Sequence, residues 1–169
     1  MNPPLLPSEA LRRVLRVARF DGMSVLGVAG AFALASGASR DVSGAVIGLL
    51  VAAAGAIELH GVSLIKEGRP SGMRWLILSQ AYLLATILAY AGYRFARPSI
   101  DWIKPYVTQD IVDLGRQNGL TVDELLTQSF QSLYVMVALA TLVYQGGMMI
   151  YYLRRRASVE RAVRELEEA

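Results

Sequence analysis

Glu58, Gln80 and Gln145 are polar side chains set inside long apolar runs of this chain, where a carboxyl beside amide oxygens can bind a proton or a small cation. The same groups can instead form a hydrogen-bonded clamp between helices. Glu58 lies eight residues before Lys66, Gln80 six after Arg74, and Gln145 nine before Arg154. On helices these spacings place all three in one layer, roughly 9 to 14 Å inside the nearest charged boundary. An ionised Glu facing lipid costs about 2.5 kcal/mol or more, so Glu58 is expected to face protein, to keep its proton, or to sit in a water-filled cavity. Its neighbours Ala54, Gly55 and Gly61 are small, which suits burial against another helix, and the expected partner is Gln80 or Gln145. His60, the only histidine, is two residues on, about 200° around the helix, and is expected nearer the interface than this layer.

Other chemistry finds little support. One histidine and one carboxylate on opposite faces cannot supply three ligands, so no metal site is expected, and no haem or other cofactor either. Cysteine is absent, which excludes disulfides, thiol catalysis and iron–sulfur ligation. The chain has no G-x-S-x-G, H-E-x-x-H or Walker sequence, and "GVAG" and "YQGGMM" read as helix interiors rather than phosphate loops, so no catalytic residue is assigned. Asp110 and Asp113, at i and i+3, read as a solvated face.

The polar layer must be positioned by apolar helices. Of the 169 residues 54% are hydrophobic and 18% charged, and the apolar residues gather in blocks at 20–38, 42–65, 75–95 and 130–152. Each block is about 20 residues, enough as a helix to cross a hydrocarbon core of roughly 30 Å. The expected fold is an all-α integral membrane protein, a bundle of four transmembrane helices forming one domain. The arginines at 12–19, the apolar stretch and "ALASGAS" also resemble a secretory signal, but the Gly and Ala residues serve equally in helix packing, and the segment is expected to persist as the first span. Gly27 with Ala31, Ala29 with Ala33 and Gly37, Gly44 with Gly48, and Ala52 beside Gly55 have the spacing of close helix contacts.

Twelve of the 17 basic residues lie before the first block, between the second and third, or after the fourth. That bias predicts cytoplasmic N- and C-termini in a bacterial-type inner membrane. The pI of 9.4 then calls for anionic lipid headgroups rather than nucleic acid. Trp75, Tyr93, Trp102, Tyr106, Tyr151 and Tyr152 fall near the block ends and are expected to form an aromatic belt.

Three further segments have expected roles. Residues 8–19, with Ser8 as N-cap, set Leu11, Val14, Leu15 and Ala18 against four arginines, which predicts an interfacial amphipathic helix before the chain turns near Asp21 and Gly22. Residues 96–129 are expected outside, with an amphipathic helix carrying Ile100, Ile103, Val107, Ile111 and Leu114, Pro105 as a kink or start, and "QNG" as a stop. Thr121 and Glu124 then form a capping box, with Leu120 stapled to Leu125. Residues 153–169 read as a solvated helical tail with Glu160–Arg164, Arg161–Glu165 and Arg164–Glu168 pairs; Val159, Ala162, Val163 and Leu166 make a stripe that could serve self-association.

The function expected from this pattern is an oligomeric channel or passive ion or solute pathway. The alternative is a noncatalytic scaffold or accessory subunit of a larger membrane complex. The stretch "YLLATILAY" in the third block lacks strong polar groups, so a pore is expected on an oligomer axis rather than within one chain.

Overall fold

Helix propensity and long apolar blocks produce α1 (Pro7–Ala38), α2 (Val42–Lys66), α3 (Gly72–Ala96), a 3-10 turn (Lys104–Tyr106), α4 (Gln109–Gln117) and α5 (Val122–Glu167). This computed structural model describes residues 7–101 and 103–167, without the side chains of Pro7, Leu166 and Glu167. Trp102 and Glu168, and the side chain of Leu166, lie outside the described residues. No strand occurs among the described residues, and α1, α2, α3 and α5 are each long and apolar enough to cross a membrane.

Helix ends follow from local backbone chemistry. Gly68 (φ 79°) and Gly119 (φ 68°) take the left-handed conformation just past α2 and α4, where a residue with no Cβ is least strained. The N–H groups of Arg69 and Leu120 then reach back to the carbonyls of Leu64 and Gly115, at 2.9 Å each. Arg40 (φ 58°) does the same after α1, so Asp41 N–H meets Ser36 O at 2.9 Å. Asp41 also caps α2 by accepting from Gly44 N–H at 3.0 Å.

Two compact units divide the chain: one takes α1, α2, α3 up to Thr86 and α5 from Leu142, and the other is Ile87–Thr141. In the first unit α1 and α2 touch through small residues. A Cβ on Gly55 would stand 2.6 Å from Leu26 N and 2.7 Å from Gly22 O, and one on Gly48 would stand 2.9 Å from Ala33 Cα. Ala29, Ala33, Gly44, Gly48, Ala52 and Gly55 are buried, whereas Gly27, Ala31 and Gly37 are exposed and take no part. Gly61 and Gly72 bring α2 and α3 together in the same way, a Cβ on Gly61 meeting Gly72 O at 3.0 Å.

The amphipathic ends of this unit depart from expectation. α1 runs unbroken through Asp21 and Gly22, with no turn between residues 8–19 and the apolar block. Leu11, Val14 and Ala18 do not form a free apolar face; they are buried in one cluster with Val62, Ile65, Met73, Leu76, Tyr152, Val159, Ala162 and Val163. The C-terminal stripe is therefore neither solvated nor open for self-association. Both stripes are buried in that one cluster, which residues of α2 and α3 complete. The fourth block and the tail form a single helix, since 46 residues from Val122 to Glu167 have no Pro and end no turn, giving a length of about 69 Å.

In the second unit the residues from Ile100 to Leu114 do not make one helix. Pro105 lacks the N–H that an α-helical ladder needs, so Tyr106 and Val107 bond at i−3, the chain is extended at Thr108, and α4 starts only at Gln109. Leu114 is exposed. At the start of α5, Thr121 N–H donates to Glu124 Oε2 at 2.8 Å and Glu124 N–H to Thr121 Oγ1 at 3.3 Å, the two halves of a capping box. The backbone N–H of Thr121, and its hydroxyl donating to Glu124 Oε2 at 2.8 Å, hold the Glu124 carboxyl below its usual range. Lys104 lies 3.1 Å from Asp123 and 3.3 Å from Asp101, which push its ammonium above its usual range. Further along, Arg94 sits over the Phe130 ring at 5.0 Å and joins α3 to α5.

Candidate functional site

The face of α2 that carries the glycines also carries Glu58, and the face of α1 that buries Leu11, Val14 and Ala18 continues, three residues on, to Asp21. Close approach of the two backbones at Gly22 and Gly55 puts both carboxyls inside the first unit, Glu58 1% and Asp21 6% exposed. From α3 comes Gln80, whose Nε2 donates to Asp21 Oδ2 at 3.0 Å. From α5 come Tyr144, whose hydroxyl donates to Asp21 Oδ1 at 2.8 Å, and Tyr152, whose hydroxyl donates to Glu58 Oε1 at 2.5 Å. Asp21 and Gln80 are the next polar neighbours of the Glu58 carboxyl. Four helices thus meet at two carboxyls.

The expected residues are distributed unevenly over this cluster. Glu58 and Gln80 both belong to it, but the bonded partner of Glu58 is Tyr152, not a glutamine. Gln145 is buried on α5, one residue from Tyr144 and two turns from Tyr152, and makes no hydrogen bond to Glu58; its Oε1 has no donor among the described residues. The Oε1 of Gln80 is likewise buried without a donor. His60 is exposed and packs edge-on against Trp75, ring centroids 5.1 Å apart, away from the cluster. Tyr152 is fully buried, so it belongs to the cluster and not to an aromatic belt.

Asp21 and Tyr152 escaped the sequence reading for identifiable reasons. Asp21 follows Arg19 by two residues and so looked like the watery edge of a block, and Tyr152 closes another block beside three arginines. A usable signal existed for Asp21: residues 11, 14, 18 and 21 fall on one helical face, so an acid at the last position is aimed inward with the others.

Chemically, the cluster offers two carboxyls, two phenols and the amide oxygen of Gln80 in an apolar setting. Buried oxygens of this kind can bind a proton or a small cation, or clamp helices to one another. Among the described residues no three His, Asp or Glu side chains converge as metal ligands. No family model, curated protein or solved structure matches this chain.

Proposed function

We propose that this chain is an integral protein of a bacterial-type inner membrane, with both termini cytoplasmic, that assembles with copies of itself and provides a passive pathway for protons or small cations through the Asp21–Glu58 layer. The observation that carries this reading is the pair of neighbouring carboxyls buried between helices apolar enough to span a bilayer, beside the Gln80 Oε1, which has no donor among the described residues. Buried acceptors of that kind are met by water or by the transported ion. Orientation rests on the basic bias of the connections, and anionic headgroups are the expected lipid partners. The apolar side chains that α5 leaves uncovered, among them Leu133, Met136, Leu139 and Val143, suit lipid or a second copy equally, and self-association belongs to the proposal because "YLLATILAY" offers no polar route within one chain.

A second reading has an observation of its own. Both oxygens of Asp21 are engaged, by Gln80 and Tyr144, and Glu58 is engaged by Tyr152, so the cluster also serves as a clamp suited to a noncatalytic scaffold or accessory subunit. Ion flux in reconstituted liposomes separates the two. The pathway reading expects flux above that of empty vesicles, lost or altered in Glu58→Gln and Asp21→Asn variants that still assemble. Wild-type protein that leaves proton, sodium and potassium gradients as empty vesicles do would leave the scaffold reading.

A further inference from the structure

Where α3 begins and α5 leaves its apolar stretch, a cavity of about 400 Å³ is lined by Pro70, Ser71, Arg74, Arg156, Glu160 and Arg164. Three guanidiniums against one carboxylate leave this lining two positive charges in excess. The carboxylate is already engaged through Oε1, which accepts from Arg156 Nε at 2.7 Å, and the backbone carbonyl of Glu160 accepts from Arg164 Nε at 3.3 Å. Both bonds use Nε and so hold the two side chains in place while leaving their paired terminal nitrogens, the edge that grips a phosphate with two hydrogen bonds. Arg74 has no carboxylate partner among the described residues. The first N–H groups of α3 already donate to the turn before it, Arg74 N to Ser71 O at 3.0 Å among them, so attraction for an anion comes from the side chains and the positive helix end.

We propose that this cavity binds a phosphate ester, and that its source is the headgroup of an anionic phospholipid. Its volume falls in the range of small-ligand sites and exceeds the needs of a bare phosphate, leaving room for the alcohol esterified to it. The lipid source rests on the membrane reading proposed above: Arg74 immediately precedes the apolar part of α3, and Arg156 follows that of α5, which sets the opening at headgroup depth. The phosphate chemistry itself rests only on the cavity.

The test uses full-length protein in nonionic detergent, titrated with short-chain phosphatidylglycerol, short-chain phosphatidylcholine, glycerol phosphate and inorganic phosphate, and followed by tryptophan fluorescence, since Trp75 adjoins the cavity residue Arg74. Saturable binding of phosphatidylglycerol is expected, about tenfold or more tighter than of the other three, with Arg74→Gln and Arg164→Gln each weakening it about tenfold, the worth of one lost charge-assisted contact. Arg154→Gln, which removes the same charge outside the cavity, should leave it unchanged. Equal weakening by Arg154→Gln, or no preference over phosphatidylcholine, would mean diffuse attraction and overturn the site. Glycerol phosphate binding as tightly as phosphatidylglycerol would overturn the lipid source. Among the described residues Arg74 makes no side-chain bond, so its variant keeps the test readable if Arg164→Gln unfolds. Alkaline extraction of cell membranes judges the membrane reading separately: release of the chain would end that reading, while the detergent titrations still decide the phosphate site.

Discussion

Replacing Tyr152 by Phe removes one oxygen from the centre of the first unit and nothing else. The ring is fully buried in the apolar cluster and stays there, so hydrophobic burial is unchanged and the loss is confined to the bond with Glu58. In water-soluble proteins a hydrogen bond to a charged group contributes about 1.5–3 kcal/mol, whereas bonds between transmembrane helices average about 0.6 and reach about 1.7 kcal/mol, because the separated helices also find partners. The Phe variant leaves a buried carboxyl without its donor, so the expected loss is near the upper membrane value, about 1–1.7 kcal/mol. Tyr144→Phe should cost less, a few tenths of a kcal/mol, because Tyr144 is 54% exposed and Asp21 keeps Gln80 as a donor. The assay is reversible unfolding in mixed micelles of increasing SDS fraction, run as a double-mutant cycle with Glu58→Gln. A coupling of about 0.5–1.5 kcal/mol is expected between positions 58 and 152. Zero coupling, or a Tyr152→Phe protein as stable as wild type, would refute the view that this bond holds α2 to α5.

Gly55→Ala should destabilise the same unit by about 1–3 kcal/mol, since the new methyl would overlap the backbone of α1; Gly27→Ala, with open space around it, should be neutral or slightly stabilising in the same micelle assay. Thr121→Ala should cost about 0.5–2 kcal/mol and raise amide exchange at the start of α5. Because the folded state lowers the Glu124 pKa from 4.5, its contribution to the cap is present above that value and fades as pH falls through the lower folded value, which exchange at Asp123 and Leu125 should register. Cysteines placed at Ser99 and Ser158 test the orientation: an impermeant thiol reagent on intact cells should label the first and spare the second, and the reverse pattern would invert the topology.

The limits of helices are written in short stretches of this chain because they depend on a few consecutive residues. "QNG" stops α4 through Gly119, and Thr121 with Glu124 opens α5, both by contacts within one turn. The same holds for the four long apolar helices, and for the stripe of small residues at 44, 48, 52 and 55 that α2 buries together with Glu58. What meets Glu58 is a different kind of question. Tyr152 lies 94 residues away and Tyr144 lies 123 residues from Asp21, so their pairing depends on the rotation and register of whole helices, which no local pattern encodes. The amphipathic ends show the same division: Leu11, Val14 and Ala18 declare an apolar face, and so do Val159, Ala162 and Val163, but an apolar face is satisfied equally by lipid, by a second copy or by another part of the chain. Tertiary packing joined the two faces in one cluster and turned the acid that follows the first of them inward to meet Gln80 and Tyr144.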